Sequence, residues 1–113
     1  MTTQETLSEA EKTALVPGIT FIDGTMDRVP RIDGTGLEVW EVIDAYVRVG
    51  RNERRLRRYF HNWLATEQVS AALAYYRLFP EEVDRRLAEE IRIEEEFTRT
   101  GAVPSHYASA RRK

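Results

Sequence analysis

Five arginines fall within eight consecutive positions and carry the clearest chemical potential in this sequence. Glu53 is the one acidic residue among them, and the arginines are Arg51, Arg54, Arg55, Arg57 and Arg58. Arginine keeps its positive charge, and its planar guanidinium donates paired hydrogen bonds to phosphate groups. The cluster therefore predicts a surface that contacts phosphates. A charged, solvated face over a purely structural helix explains the same residues equally well.

An apolar stripe predicts that these arginines lie on a helix. Apolar side chains recur at i, i+3, i+4 and i+7 in the same stretch, namely Leu56, Tyr59, Phe60 and Trp63. This spacing predicts a helix from about Asn52, its N-cap, to Phe60, with the arginines away from the apolar face. A second helix is predicted to begin at Thr66, acting as its cap, and to end at Phe79-Pro80. A basic helix, a short turn and another helix are typical of helix-turn-helix DNA-binding proteins.

In such a protein the second helix, here 66–78, enters the major groove. Near its start, Thr66, Gln68 and Ser70 have side chains able to bind base edges, and glutamine suits adenine. The clustered arginines, together with Arg77, would contact the DNA backbone, and such contacts position a protein without specifying sequence. We therefore expect weak base recognition by each copy, which favours a homodimer on two half-sites of operator DNA.

The second helix also favours an alternative without nucleic acid. Ala71 and Ala74 allow another helix to approach closely, and Tyr75 and Leu78 are predicted to be exposed on the same side. Aromatic and aliphatic side chains of this kind are typical of protein interfaces. On this hypothesis the chain is an oligomeric assembly module, and its arginines contact an acidic protein surface.

The remaining elements follow from capping residues, turn residues and hydrophobic periodicity. Ser8 and Glu11 predict a capping box for a short first helix that ends near Leu15. The other segments are a hairpin of strands 19–22 and 29–32, a Gly-Thr turn at 33–36, an apolar helix at 37–49 that ends at Gly50, and a C-terminal helix from Pro80 to about Arg99.

The C-terminal helix differs in charge from the basic helix. Residues 81–96 contain eight acidic side chains and three arginines. A narrow apolar seam with acidic flanks is typical of a helix that lies in a partner's groove. The predicted anchors are Val83, Leu87, Ile91 and Phe97. Packing against the chain's own core, or across a homodimer, explains Val83 and Leu87 better than it explains Phe97.

Composition argues against several other classes of protein. The 113 residues contain no cysteine and two histidines, and the net charge is −2. Disulfides, thiol catalysis and cysteine-ligated zinc are thereby excluded. His61 is better placed for a helix-end cation or a phosphate contact than for a metal site. We expect no catalytic residues, no metal, no cofactor and no membrane span, and we expect a cytoplasmic protein because the N-terminus lacks the pattern of a signal peptide.

Residues 19–84 resemble a small bacterial family classified as domain of unknown function four-three-three, which includes antitoxins of the VapB type. The matching segments are Pro17-Gly18-Ile19, the turn and helix start from Ile32 to Val39, Gly50, the run from Thr66 to Tyr76, and Phe79 to Asp84. The resemblance implies a β-hairpin followed by a homeodomain-like helical bundle, and a role beside a PIN-like ribonuclease toxin. Two features depart from the family pattern: Gly36 replaces a common arginine, and the second helix is basic rather than acidic.

The predicted fold is therefore mainly α, within the α+β class. It consists of a tail and short helix (1–16), a hairpin with the Gly-Thr turn (17–36), a helix-turn-helix bundle (37–79), an amphipathic helix (80–100) and a flexible basic tail (101–113). The predicted function is that of a non-catalytic, antitoxin-like DNA-binding protein. The acidic C-terminal helix would compete with RNA phosphates for the basic active-site region of the toxin.

Overall fold

A two-stranded antiparallel hairpin precedes a group of helices, as the sequence predicts. The computed structural model describes residues 7–24 and 27–101. Within those ranges the elements are α1 (Glu9–Leu15), β1 (Ile19–Asp23), β2 (Arg28–Ile32), α2 (Val39–Arg48), α3 (Glu53–Phe60), α4 (Thr66–Leu78) and α5 (Pro80–Thr100). The α+β class is therefore correct. The predictions made for residues 1–6, for the hairpin loop at 25–26 and for the basic tail after Gly101 lie outside the described residues.

Local sequence signals determine where α1 begins and which face of the hairpin is buried. The Ser8 hydroxyl accepts a hydrogen bond from the backbone N–H of Glu11 at 3.1 Å, and the Glu11 carboxylate accepts one from Ser8 N–H at 2.7 Å. This is the predicted capping box, and it begins α1. In the hairpin, Ile19 lies opposite Ile32, and both side chains are buried. The hairpin therefore presents an apolar face to the helices instead of standing alone.

Helix α4 lies at the centre of the domain. Val69, Ala72, Leu73 and Tyr75 are all buried on it, and it packs against α2, α3, α5 and both strands. The prediction that Ala71 and Tyr75 face outward is therefore wrong, because Ala71 is 6% exposed and Tyr75 is fully buried. Small and apolar residues occur on almost every side of this helix, so its sequence did not reveal which side is exposed.

The starts of α3 and α4 show one prediction confirmed and one corrected. The Asn52 side chain caps α3 by accepting from Arg55 N–H at 2.9 Å, as predicted. Helix α4 has Ala65 rather than Thr66 as its N-cap residue. Because alanine has no side-chain acceptor, the contact at this end is made by Gln68, whose Oε1 accepts from Ala65 N–H at 2.8 Å.

Helix α5 packs along α2 and differs from the predicted apolar seam. Val83 is buried and Leu87 is half-buried, but Ile91 is 45% exposed and Glu90 is 1% exposed. Arg86 approaches Glu90 at 3.0 Å and also donates to Glu38, which precedes α2, at 3.2 Å. An ion-pair cluster thus occupies part of the α2–α5 contact that periodicity alone would fill with apolar side chains.

Candidate nucleic-acid interface

Helix α3 is anchored by one narrow face. Leu56 is fully buried and Phe60 is 5% exposed, whereas most of the other side chains of this helix face solvent. The predicted amphipathic arrangement is therefore present, and it holds the arginines at the surface. The five arginines nevertheless differ from one another in their contacts.

Arg57 is engaged in contacts within the protein. Its guanidinium donates to Glu53 Oε2 at 2.7 Å, to the Thr66 carbonyl at 3.1 Å and to Ser70 Oγ at 2.8 Å. Its side chain is 30% exposed. These contacts tie α3 to the first turn of α4, so Arg57 holds the two helices together and its charge is already balanced by Glu53.

Arg51 closes the turn between α2 and α3. It adopts a positive φ of 58°, and its N–H donates to the Tyr46 carbonyl at 2.8 Å. Its guanidinium donates to the Tyr76 hydroxyl at 3.3 Å and lies 6.0 Å from the centroid of the Tyr46 ring. The hydrogen bond that Arg51 donates to the Tyr76 hydroxyl raises the pKa of Arg51 above its ordinary value. Arg51 is exposed but is positioned by these aromatic contacts.

Arg54, Arg55 and Arg58 form a different group, which we call the free arginine face. All three are exposed. Across residues 7–24 and 27–101, no side chain or carbonyl forms a hydrogen bond or ion pair with these guanidinium groups, and no acidic residue of α5 neutralises them. The spacings i, i+3 and i, i+4 place them side by side, where like charges repel and favour an anionic partner.

An open groove of about 520 Å³ lies between the end of α3 and the start of α4. Its lining includes Arg57, Arg58, His61 and Thr66. The Nδ1 atom of His61 lies 2.9 Å from the Arg58 carbonyl, which orients the ring at this helix end. The groove brings three of the predicted nucleic-acid contacts to one place.

The residues proposed to recognise bases are less accessible than the sequence suggests. Gln68 is held between Ala65 N–H and the Asp33 carbonyl, to which its Nε2 donates at 3.3 Å. Ser70 accepts the hydrogen bond from Arg57. Thr66 is exposed at the start of α4, and Arg77 is exposed near its other end. Gln68 and Ser70 would have to exchange these hydrogen bonds for contacts with bases, and their part in base recognition stays a prediction.

The predicted partner-binding residues are scattered over the surface and the core. Besides the buried Ala71, Tyr75 and Val83, they comprise the half-buried Ala74, Leu87 and Phe97 and the exposed Leu78 and Ile91. Leu78 and Ile91 are 43% and 45% exposed. The structure does not bring these eight residues together into one surface.

Two exposed aromatic side chains were missed as site residues. Tyr59 and Trp63 belong to the predicted inward stripe, but they are 55% and 68% exposed. Helix α3 ends at Phe60, and residues 61–63 form a turn, so Trp63 does not continue the buried face of the helix. No glycine or proline in residues 61–63 marked that end in the sequence.

No family model, curated protein or solved structure matches this chain. In the part of the chain that the structure describes, no helix is long and apolar enough to cross a bilayer. The same residues contain no group of three or more His, Cys, Asp or Glu side chains arranged to hold a metal ion.

Proposed function

We propose that this chain is a non-catalytic, antitoxin-like DNA-binding protein that grips the DNA backbone through α3. The observation that carries the proposal is the free arginine face. Three exposed guanidinium groups on one short helix remain without an acidic partner among the described residues, although the chain as a whole has a net charge of −2. Arginine without a protein counter-charge is suited to phosphate oxygens.

The proposed architecture is a homeodomain-like unit of α2, α3 and α4. Helix α4 packs on α2, and Arg57 fastens α3 to α4. Because the middle of α4 is buried, α3 and the groove at the start of α4 are the parts of this unit that can approach DNA. Thr66 is the remaining exposed candidate for a base contact on the first turn of α4. Most of the affinity would then come from phosphates, with little sequence preference in each copy.

Few free arginines per copy favour a homodimer. Each phosphate contact contributes a fixed amount to the affinity, and two copies on adjacent half-sites double the number of contacts. We therefore propose two α3 helices on one operator, with operator sequence sensed by spacing and by DNA shape more than by direct base contacts.

Fluorescence anisotropy with a labelled DNA duplex tests this proposal. Replacing all three residues of the free arginine face with alanine should greatly weaken duplex binding. Arg92→Ala is a matched control, because Arg92 is an exposed arginine that is already paired with Glu89 on α5. Equal affinity of the triple variant and the wild-type protein would contradict the proposal.

The antitoxin part of the proposal rests on the family resemblance and on α5. The outer side of α5 carries many glutamates and the exposed Ile91, and Phe97 is half-buried near its end. We propose that this side holds a PIN-like ribonuclease toxin, with acidic side chains against the basic region that binds RNA. Ile91→Asp should abolish co-purification with a toxin encoded by the neighbouring gene, whereas Leu15→Asp, at another exposed apolar position, should not.

A second candidate function is protein assembly without nucleic acid. The exposed Leu78, at the end of α4, favours it, because a large apolar side chain at the surface is suited to the apolar core of a contact between subunits. Light scattering over a concentration series separates the candidates. Assembly predicts an oligomer that Leu78→Glu dissociates and no affinity for duplex DNA at low salt.

A further inference from the structure

We propose that Tyr59 and Trp63 form a stacking site for unpaired nucleobases, so that the α3 surface binds single-stranded nucleic acid more tightly than duplex. This inference rests on the proposed function, because it places the aromatic site beside the arginines that would hold the backbone. It adds a chemical class of ligand, the faces of bases that are not already stacked in a duplex.

The two rings are exposed and held in place. Tyr59 is 55% exposed and Trp63 is 68% exposed, the largest exposure among the large apolar side chains of the described residues. Their centroids are 5.9 Å apart with an interplanar angle of 80°, an edge-to-face arrangement in which the two rings are not stacked on each other. The buried Phe60 contacts both, at 4.8 Å from Tyr59 and 6.1 Å from Trp63. Contact with the buried Phe60 therefore limits the movement of both rings.

The positive charge near Tyr59 and Trp63 indicates that the ligand is a nucleic-acid strand. Arg55 lies one helical turn before Tyr59, at i, i+4, so a free guanidinium group borders the exposed Tyr59 ring, and Arg58 adds a further positive charge to the same short helix. Aromatic rings beside a positive backbone-binding surface are the common arrangement in proteins that bind single strands, because every base has a face that can stack. A duplex offers its phosphates to the arginines but keeps its bases stacked on each other.

A second copy of the chain fits this surface less well. In a two-fold contact centred on the aromatic pair, Arg55 and Arg58 would meet the same residues of the other copy. Burying like charges against each other is unfavourable. Arg48, which also interacts with Tyr59, does not offset the repulsion between these arginines, because it is itself a cation. Its charge is already paired with Asp44 at 3.0 Å and lies in the field of Glu94.

Anisotropy with matched oligonucleotides tests the inference. The probes are a labelled thymidine strand of roughly a dozen nucleotides, within the usual site size, and the duplex of the same strand with its complement. Wild-type protein should bind the single strand more tightly. Trp63→Ala should weaken single-strand binding by about tenfold, the usual effect of removing one stacking ring, and leave duplex binding unchanged. Trp63→Phe should retain most of the affinity, because it keeps a ring.

Leu15→Ala is the matched control, because Leu15 is 55% exposed on α1, which contacts β1 rather than α3. Tryptophan emission provides a second measurement. Single-strand binding should quench Trp63, and the quenching should disappear in Trp63→Phe, where the half-buried Trp40 remains with its Nε1 bonded to Glu38 at 2.6 Å.

The outcomes separate this inference from the proposed function. Duplex binding that depends on the free arginine face, with no preference for the single strand, would overturn the stacking site and leave the proposed function intact. Equal loss of single-strand and duplex binding in Trp63→Ala would also overturn it. Absence of binding to either probe would overturn both proposals.

Discussion

Arg57→Ala should destabilise the protein, whereas Arg58→Ala, which removes the same charge from the next position, should not. Arg57 forms an i, i+4 ion pair with Glu53 and hydrogen bonds to the Thr66 carbonyl and Ser70 Oγ, with 30% of its side chain exposed. Each hydrogen bond contributes about 0.5–1 kcal/mol, and the partly exposed ion pair adds ~0.3 kcal/mol. The expected loss in free energy of unfolding is therefore ~1.5 kcal/mol.

Urea denaturation followed by circular dichroism measures this loss. With a slope of roughly 1–1.5 kcal/mol per molar urea for a chain of this size, Arg57→Ala should lower the midpoint by about 1 M. Arg58→Ala should change the free energy of unfolding by less than ~0.5 kcal/mol, because its guanidinium has no partner to lose. The Ser70→Ala and Arg57→Ala changes should be non-additive by ~0.5–1 kcal/mol.

The difference in free energy of unfolding between the two variants tests whether Arg57 links α3 to α4. If Arg57→Ala and Arg58→Ala leave the same free energy of unfolding, Arg57 is not a link between α3 and α4. The division of the arginines into a structural member and a free arginine face would then lose its basis.

Two further predictions concern Tyr75 and Gly18. Burial, followed by the hydrogen bond to Glu82 at 2.6 Å, raises the pKa of Tyr75 above its ordinary value. The stability due to the proton of the Tyr75 hydroxyl is thus present below about pH 10 and is lost above it, by at most ~1.4 kcal/mol per pH unit. Urea denaturation between about pH 8 and 11 should show this loss in free energy of unfolding in the wild-type protein but not in Tyr75→Phe. Gly18 has a φ of +102°, and an added Cβ would lie 3.1 Å from Ala71 Cβ. Gly18→Ala should therefore lower the free energy of unfolding by about 2 kcal/mol. Gly50→Ala should lower it by only ~1 kcal/mol, because Gly50 has a φ of +77° but an added Cβ would meet no atom within 4 Å. Equal losses for the two variants in urea denaturation would contradict the crowding at Ala71.

Short-range signals in the sequence predicted much of the fold. The Ser8 capping box and the Asn52 cap depend on residues three positions apart, the hairpin strands adjoin each other in the sequence, and each feature is present. The class of fold follows from the order of those elements. Such features are predictable because their main interactions are set by the backbone geometry of a single turn or hairpin.

Contacts between distant segments were not predictable in the same way. Glu82 binds Lys12 at 2.7 Å and also accepts from Tyr75, so it joins three helices through residues far apart in the sequence. Glu90 is buried while the neighbouring Ile91 is exposed, because the side of α5 that faces α2 is set by packing and by ion pairs. Hydrophobic periodicity assigns such positions by residue type alone.

The candidate site shows the same division. The sequence placed Arg54, Arg55, Arg57 and Arg58 on an amphipathic helix, and the structure has them there, with Arg51 in the turn before it. It could not distinguish Arg57 from Arg58, because the difference depends on Ser70 and the Thr66 carbonyl across the turn. It also treated Tyr59 and Trp63 as part of the inward stripe, because the apolar period continues in the sequence past Phe60, where α3 ends.

The salt dependence of duplex binding tests the central claim most directly. Each phosphate contact adds about 0.9 to the slope of log K against log salt concentration, so the three residues of the free arginine face account for a slope of about 2.7 per copy. Between about 50 and 200 mM salt each copy of the wild-type protein should lose roughly 40-fold more affinity than the variant with Arg54, Arg55 and Arg58 replaced by alanine, and the proposed dimer should lose the square of that, roughly 1,600-fold. Identical slopes for the two proteins would contradict the claim that these guanidinium groups meet the phosphate backbone.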